Sequence, residues 1–456
     1  MLTRIEIDGF KTFRDFALNL EPFQVIGGPN GVGKSNLFDA MQLLARLTEK
    51  DLWTAFQASR GEAEELFSLR PGRKPVDEMR FAVELLIGSR VRDEWGRSED
   101  LQDTRLRYEL TIGREYDEKG QEHLRVRHES LKRILVGEDQ WLDRHPEAKR
   151  NRFVHSYRGT PFISTAEEEG VTTIALHQDG RKGRKRQMSA GPMERTVLGS
   201  VNTTEFPHVL AAREEMRQWR FLQLNPEVLR QPDSIRGPTT LSANGNNLAR
   251  TLARIGREEK YILNDISRDL SNLVPGLLNI EIEEDKAREL YIIYANTQDE
   301  CRFSSRTLSD GTLRLLALIT LANDPQYNGV LCFEEPENGV HPFRVEQMVE
   351  LLRSLTTDFT AKEEAGWPMR QLLVNTHSPL LMAQLDDTEL LFAYMPTRVD
   401  PADDGTATRV TRIVPVHREL LPDPQERFFT RQQVKKYMHS ADWDAAERRL
   451  IGEAAV

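Results

Sequence analysis

Residues 28–35 read GPNGVGKS, and this stretch decides the fold. It fits the pattern G-x-x-x-x-G-K-[ST], in which the glycines let the backbone wrap an anion with several N–H groups pointing inward. The residues just before it, 23–26, are typical of a short apolar strand, and residues 35–47 place apolar side chains on one helical face. Strand, glycine-rich loop and helix in this order predict a phosphate-binding site in an α/β layer.

Two side chains of this loop carry the predicted chemistry. Lys34 places a cation on the β- and γ-phosphates of a nucleotide, and the hydroxyl of Ser35 can be a ligand of Mg²⁺. The predicted ligands are therefore ATP and Mg²⁺. The loop residues that we expect to contact the nucleotide are Asn30, Gly31, Gly33, Lys34, Ser35 and Asn36.

A second motif, VLCFEEPENGVHP at residues 330–342, ends an apolar strand in two carboxylates. A buried parallel strand that ends in acids presents them at the carboxyl edge of the sheet, where ligands bind in open α/β folds. We expect Glu334 to hold Mg²⁺, directly or through water, and Glu335 to accept a proton from the attacking water. The alternative, a strand that leads into an acidic solvated turn, is disfavoured by the phosphate loop upstream.

Two further stretches allow both a functional and a structural interpretation. RTLSDGTLRLLALITLA, residues 306–322, predicts a helix capped by Ser309; helix N-termini attract phosphate, but an ordinary capped helix has the same pattern. LLVNTHSPLL, residues 372–381, predicts an apolar strand that leads to His377. This histidine could hydrogen-bond the γ-phosphate or the attacking water, or it could be structural.

The four motifs resemble the head of an ABC-type ATPase in their residues and in their order: the phosphate loop, LSDGT, the apolar strand with two glutamates, and the strand with the histidine. The resemblance is to the branch that holds RecF, SMC proteins and OLD-type ATPases with an AAA-like domain. It implies that residues 308–312 are the signature motif, that residues 334–342 carry Walker B and the D-loop, and that His377 is the switch histidine. The implied catalytic residues are then Glu335, His377 and Lys34.

Departures from the transporter pattern sharpen this resemblance. LSDGT replaces LSGGQ at Asp310 and Thr312, and Glu334 stands where the wider family usually has Asp. Both departures are common in the OLD-like branch. The segment GFKTFRD, residues 9–15, resembles the part that lies beside the nucleotide base, whereas the Q-loop glutamine has no obvious match and Gln57 is only a candidate.

The two halves of the implied head lie far apart in the sequence, because the gap between Lys34 and Ser309 is much longer than in transporter ATPases. Its strands and prolines exclude the long coiled coil of an SMC protein. We expect no Toprim nuclease domain, because too little chain follows His377. The prediction is an α/β fold: an ABC-type P-loop ATPase head split by an inserted β-lobe and a short helical arm. The predicted boundaries are 1–78 and 276–400 for the two halves of the head, 79–202 for the β-lobe, 203–275 for the arm and 401–456 for a strand and helix extension.

The resemblance also implies a dimer. In an ABC-type head the signature serine cannot reach the phosphate loop of its own chain, so two heads pair head to tail around two ATP molecules. Ser309 and Gly311 of one chain would face the γ-phosphate held by Lys34 of the other. Such a site makes ATP binding a two-state switch that hydrolysis reverses.

The composition excludes several classes of protein. The 456 residues carry a formal net charge of −10, 39% are hydrophobic and the mean hydropathy is −0.55, with no apolar run long enough to span a membrane. The N-terminus has no signal-peptide pattern, and two cysteines make neither a disulfide framework nor a zinc site. We expect a cytoplasmic protein without membrane contact.

A negative net charge does not exclude a local basic surface. Residues 181–186 read RKGRKR, which could meet DNA or RNA phosphates or form a solvated hairpin tip after the strand 171–176. The candidate contacts are Arg181, Lys182, Arg184, Lys185 and Arg186.

The leading hypothesis is an ATP-gated dimeric switch in DNA-associated processes, acting in antiphage defence with a separate effector such as a nuclease or toxin. A RecF-like DNA-repair ATPase without an effector and a slow-turnover, ATP-binding regulatory scaffold remain alternatives. A transporter ATPase is disfavoured by the oversized insert.

Overall fold

The computed structural model describes residues 1–69, 72, 74–150, 159–168, 171–178, 185–189, 193–359, 369–399, 407–417 and 428–438. The first elements of the chain are β1 (Leu2–Asp8), β2 (Phe16–Asn19), β3 (Phe23–Gly27), α1 (Lys34–Leu47), α2 (Leu52–Gln57) and α3 (Ala63–Leu66). The next are β4 (Glu78–Leu86), β5 (Arg90–Arg92), β6 (Ser98–Asp100), β7 (Arg105–Tyr116), β8 (Glu122–Arg133), α4 (Gln140–Arg144), α5 (Pro146–Arg150), β9 (Ile163–Glu168), β10 (Val171–His177), β11 (Lys185–Ser189) and α6 (Val197–Ser200).

The chain continues with a mainly helical region and then with strands and helices in alternation. The helical region has α7 (Pro207–Arg217), β12 (Arg220–Leu222), α8 (Pro226–Leu229), β13 (Asp233–Ser234), α9 (Leu248–Glu258) and α10 (Lys260–Leu273). After it come β14 (Leu277–Asp285), β15 (Leu290–Thr297), β16 (Arg302–Ser304), α11 (Asp310–Asn323), β17 (Gly329–Glu334), α12 (Val345–Ser354), β18 (Arg370–Thr376), α13 (Pro379–Ala383), β19 (Leu390–Tyr394), β20 (Thr397–Val399), β21 (Ala407–Arg409), β22 (Arg412–His417), β23 (Phe429–Thr430) and α14 (Arg431–Met438).

The central sheet positions the candidate site. Its strand order is β12–β17–β18–β3–β19–β22–β23, and the strands from β12 to β19 are parallel, with β22 antiparallel to β19. Nearly every residue of β3, β17 and β18 is buried. Apolar runs that continue along a strand predict a parallel strand buried on both faces. The structure confirms this prediction.

Helices and strands cover both faces of the central sheet. Side chains that alternate along a strand reach opposite faces. Ile26 and Cys332 face a core shared with α1, α7 and a second, larger sheet. Val25 and Leu331 face a core shared with α9, α10, α11 and α12. The helix that follows the phosphate loop, α1, is therefore held between two sheets.

The second sheet is antiparallel and joins the chain's N-terminus to the predicted β-lobe. Its order is β11–β10–β9–β8–β7–β4–β1–β2, with Ile5 of β1 opposite Val83 of β4. The strand predicted at 171–176 is confirmed as β10. A smaller sheet of β13, β15 and β14, with β16 on β15, packs on the other side of the molecule beside α9 and α10.

Two strands of the central sheet come from segments for which the sequence predicts no place in it. β12 lies in the predicted helical arm and pairs with β17, so that Phe221 stands opposite Cys332. β22 lies in the predicted C-terminal extension and pairs with β19, so that Val414 stands opposite Phe392. β12 is too short for periodicity to reveal it, and no local pattern specifies the partner of β22. The domain boundaries themselves stay predictions.

Within the residues that the structure describes, none of the helices combines the length and the apolar character that crossing a bilayer requires.

Candidate functional site

The phosphate loop connects β3 to the first residue of α1. Gly33, the last residue before the helix, has φ of 89°. A left-handed backbone there favours glycine over any residue with a Cβ. It turns the chain sharply between the buried strand and Lys34, as the motif predicts.

Lys34 is nearly buried, with 8% of its surface exposed. Its Nζ donates to the carbonyl oxygens of Gly28 at 2.6 Å and Pro29 at 2.8 Å. Burial lowers the pKa of Lys34 to about 8, although the carboxylates of Glu335 and Glu334 act in the opposite direction. A phosphate group would supply the full counter-charge that the two carbonyls lack.

The two glutamates stand at the end of β17, where the sequence predicts them. Glu334 is the last residue of the strand, and Glu335 follows with φ of 49°, a left-handed conformation that costs about 1–3 kcal/mol for a residue with a side chain. The N–H of Glu335 donates to the carbonyl of Asn375 at 2.8 Å, which fixes this turn against the end of β18. Strain of this kind concentrates at functional sites.

The carboxylate of Glu335 is held by two side chains. Nδ1 of His377 lies 2.8 Å from Oε1, and Nδ2 of Asn338 donates to Oε2 at 2.7 Å. Burial raises the pKa of Glu335, but the hydrogen bonds from Asn338 and His377 outweigh it, and the pKa is lowered overall. The group is therefore an ionised, oriented carboxylate at neutral pH, the state in which it can accept a proton.

One cavity joins the phosphate loop to the two acids. Its volume is about 240 Å³. It is lined by Asn30, Gly31, Gly33, Lys34, Ser35, Asn36, Glu334, Glu335 and Asn375. The structure thus brings together all six predicted loop residues and both predicted acids, and it adds Asn375, which was not predicted as a site residue although it begins the NTHSP motif.

Asn375 tests whether a nucleotide fits this cavity. Its side chain is 2% exposed, and neither amide atom has a hydrogen-bond partner. Buried amide groups are almost always hydrogen-bonded. A ligand that donates to the amide oxygen and accepts from the amide nitrogen would remove the energetic cost of leaving both atoms unpaired. Ser35 and Glu334 line the same cavity and offer a hydroxyl and a carboxylate oxygen, the ligand types that Mg²⁺ prefers beside substrate phosphates. The residues present therefore fit ATP and Mg²⁺.

The two residues predicted to belong to a signature motif, Ser309 and Gly311, lie at the start of α11. Ser309 is exposed and caps α11, accepting a hydrogen bond from the N–H of Thr312 at 3.2 Å, so the predicted capped helix is confirmed. Ser309 and Gly311 are not among the residues that line the 240 Å³ cavity. Gly311 instead packs on the turn that follows Glu335, since a Cβ placed on it would lie 2.3 Å from the carbonyl oxygen of Gly339.

A second cavity, of about 400 Å³, also borders Glu334 and is lined by two glutamines that the sequence analysis did not single out, Gln42 of α1 and Gln223. Gln223 directly follows β12, the strand beside β17, and lines this cavity. Gln57, the sequence candidate, is exposed at the end of α2 and lines neither of the two cavities that border Glu334. The pair Phe221–Leu222 directly before Gln223 was the available signal, but it is too short to predict a strand.

The predicted basic cluster is described only in part. Arg181, Lys182 and Arg184 lie outside the described residues, as does the side chain of Lys185. Arg186 is exposed on β11, opposite Leu176 of β10. The described strands are antiparallel neighbours, as the hairpin interpretation requires, and the nucleic-acid contact stays a prediction.

Comparison with known proteins identifies the family. A sequence model of the family described as "AAA domain, putative AbiEii toxin, Type IV TA system" matches residues 23–383. The chain belongs to this family. The matched residues run from β3 to α13 and therefore include the phosphate loop, both acids and His377. Membership in this AAA-domain family agrees with the predicted AAA-like ATPase; the RecF or OLD branch stays a prediction.

The chain is also similar to individual proteins, either over a short stretch of sequence or at low sequence identity. "Chromosome partition protein Smc" of Thauera aminoaromatica is 36% identical over 103 residues, which are 21% of this chain and 8% of that protein. The solved "SmcHead bound to the C-winged helix domain of ScpA" has 15% identity and a TM-score of 0.44, covering 90% of this chain and 97% of that one. The SMC head domain from Thermotoga maritima has 14% identity and a TM-score of 0.38, covering 91% and 99%.

Proposed function

We propose that the protein binds and hydrolyses ATP at the 240 Å³ cavity. The observation that carries this proposal is that Lys34, Ser35, Glu334 and Glu335, from two distant parts of the sequence, line one cavity with the unpaired amide of Asn375. A cation for phosphate, oxygen ligands for Mg²⁺ and an ionised carboxylate are the parts that phosphoryl transfer to water requires.

Binding uses the N-terminus of α1 and the ammonium group of Lys34. The loop N–H groups and the helix dipole favour an anion at this position. Lys34 would exchange its bonds to the carbonyls of Gly28 and Pro29 for phosphate oxygens, which restore its full charge. Mg²⁺, held by Ser35 and Glu334, would neutralise the charge that develops on the phosphates.

Hydrolysis would use Glu335 as the proton acceptor for water. His377 and Asn338 each bond one of its oxygens, so they orient the carboxylate before the reaction. His377 is not among the residues that line the cavity, so the part we assign to it is to hold Glu335. We assign Gln223 as the glutamine that senses the nucleotide, because it follows the strand next to β17 and lines the same cavity as Glu334.

We further propose that two copies close head to tail around two ATP molecules. Ser309 is exposed and does not line the cavity of its own chain, which leaves it available to a second chain, whereas Gly311 is buried behind it. Gly311 contacts Gly339, four residues after Glu335 in the chain, so a partner that binds the signature would bias the loop beside the proton acceptor. Hydrolysis would then release the closed state.

The setting we propose is antiphage defence, with a separate effector such as a nuclease or toxin. The family description names a putative toxin of a type IV toxin–antitoxin system; such a system has two components, which supports a separate partner protein. Bacteria that carry the gene together with its neighbouring genes should resist phage only if the encoded protein retains Glu335. Equal resistance of cells with the Glu335→Gln variant would contradict a role for ATP hydrolysis in defence.

Glu335→Gln tests the hydrolysis itself. The amide keeps the side-chain volume but cannot accept the proton, so we expect ATP binding to persist while phosphate release falls at least about 100-fold. Light scattering of the variant with Mg²⁺ and ATP should show a trapped dimer. Glu346→Gln, an exposed glutamate on α12, is the matched control and should behave as wild type. Equal turnover of wild type and Glu335→Gln would overturn the assignment.

A further inference from the structure

A threonine from the far end of the chain is buried against the phosphate loop. Thr411 directly precedes β22, in the segment predicted as a C-terminal extension, and none of its surface is exposed. Its Oγ1 donates to the carbonyl oxygen of Val32 at 2.9 Å, across a sequence separation of 379 residues. Its backbone N–H donates to the carbonyl oxygen of Thr12 at 3.0 Å. The extension therefore reaches the loop directly.

Thr411 is one of two hydroxyls that meet at this point. Oγ1 of Thr12 lies 2.6 Å from Oγ1 of Thr411, and it accepts a hydrogen bond from Nδ2 of Asn36 at 2.8 Å. A hydroxyl has one proton to donate, and Thr411 gives its proton to Val32. Thr12 must then donate to Thr411. The result is a directed chain of hydrogen bonds from α1, through both threonines, to the backbone of the loop.

The same two hydroxyls close over the turn before Lys34. A Cβ placed on Gly33 would lie 2.2 Å from Oγ1 of Thr411 and 2.9 Å from Oγ1 of Thr12. The turn at Gly33 is thus packed from outside as well as set by its left-handed backbone. Nothing larger than glycine fits unless the threonine pair moves.

We propose that Thr411 and Thr12 are positioning residues of the nucleotide site, an inference that rests on the proposed function. Where a loop wraps a phosphate with its N–H groups, a carbonyl that turns away from the phosphate and is buried needs a donor from the surrounding chain. Thr411 supplies that donor to Val32, and Thr12 fixes the rotamer of Thr411. Because β22 pairs with β19, next to β3, the C-terminal strand is a structural part of the site.

Thr411→Val tests this role in the full chain, because valine keeps the shape and removes the donor. Binding of a fluorescent ATP analogue and steady-state hydrolysis should show an analogue Kd and a KM for ATP about tenfold higher, with kcat nearly unchanged. Thr411→Ser restores the hydroxyl and should restore both constants. Thr408→Val, a buried threonine of β21, is the matched control and should bind as wild type.

Thermal unfolding separates positioning from folding. If Thr411→Val does not fold, Thr12→Val at the half-buried partner gives the same test, with a smaller expected loss. A folded Thr411→Val protein that binds the analogue as tightly as wild type would overturn the proposal. Lys34→Ala, measured in parallel, tests the proposed function separately: if it binds as well as wild type, the ATP site itself is wrong.

Discussion

Arg230 forms an ion pair with Asp310, the residue at which LSDGT departs from the transporter signature. The same guanidinium nitrogen donates to the carbonyl oxygen of Leu308 at 3.1 Å, and the hydroxyl of Ser305 donates to the carbonyl oxygen of Arg230 at 2.9 Å. Arg230 therefore bonds Leu308 and Asp310 through its guanidinium group and Ser305 through its backbone carbonyl. The aspartate that departs from the transporter pattern has a local partner, which fixes the start of α11 to Arg230.

The first prediction concerns the bonds between Arg230 and the start of α11. Arg230→Ala should leave ATP binding at Lys34 unchanged, because Arg230 does not line that cavity. It should weaken ATP-dependent dimerisation and turnover by about tenfold, because hydrogen bonds from a charged donor are worth about 1.5–3 kcal/mol. Nucleotide titration and light scattering with Mg²⁺ and ATP check the two halves of this prediction.

The control for Arg230→Ala is another arginine of the same segment. Arg236 is highly exposed and pairs with Glu289 at 3.0 Å, a surface ion pair of small energetic value. Arg236→Ala should dimerise and turn over ATP as wild type. If Arg230→Ala also dimerises and turns over ATP as wild type, dimerisation and turnover do not depend on Arg230.

The second prediction concerns the contact between Gly311 and Gly339. Gly311→Ala would place a Cβ 2.3 Å from the carbonyl oxygen of Gly339, so the start of α11 or the turn that follows Glu335 must move. We expect dimer closure and hydrolysis to fall together while ATP affinity stays near wild type. Gly137→Ala, where the added Cβ would meet no atom within 4 Å, is the control. Unchanged hydrolysis in Gly311→Ala would show that the two loops are not coupled.

The third prediction concerns the orientation of Glu335. His377→Ala removes the contact at Oε1 but leaves the bond from Asn338 at Oε2. Hydrolysis should therefore slow, by about 100-fold, without loss of ATP binding. Single-turnover kinetics separate the chemical step from product release. A normal single-turnover rate would indicate that His377 is structural, the alternative that its sequence context also allows.

The sequence predicts the parts of this site that local motifs encode. GPNGVGKS specifies its own turn, and an apolar strand that ends in two glutamates specifies where the carboxylates lie. The cavity that joins Lys34 to Glu335 follows from these two motifs and the parallel order of β3, β18 and β17. Short stretches of sequence therefore suffice to predict this part of the site.

The remaining contacts depend on packing between distant segments. β12 has three residues, so neither its place in the sheet nor that of Gln223 could be read from periodicity. Thr411 and Arg230 belong to segments whose local pattern names no partner, and only the folded chain brings them to Val32 and Asp310. A threonine or an arginine has too many ordinary roles for sequence alone to distinguish these.

A buried carboxyl group in the second sheet gives the last prediction. Glu129 of β8 has no exposed surface; its carboxyl oxygens accept from the N–H groups of Val197 at 2.7 Å and Leu198 at 2.8 Å, and from the hydroxyl of Tyr108 at 3.0 Å. Burial raises the pKa of Glu129 from 4.5 to about 7, although these hydrogen bonds act in the opposite direction. The group thus fixes α6 to the sheet but prefers to be protonated.

The sign of the resulting pH dependence follows from proton linkage. Between pH 4.5 and pH 7 the unfolded chain has an ionised Glu129 and the folded chain keeps its proton, so the stabilisation is complete below pH 4.5 and is lost as the pH rises to 7. The loss amounts to about 3 kcal/mol. The Glu129→Gln variant cannot ionise at this position. The melting temperature of the variant minus that of wild type should therefore increase from pH 4.5 to pH 7, because the cost of the altered hydrogen bonds is the same at every pH. Glu115→Gln, at an exposed glutamate on β7, should follow wild type at every pH. A constant difference between Glu129→Gln and wild type would show that Glu129 is ionised throughout.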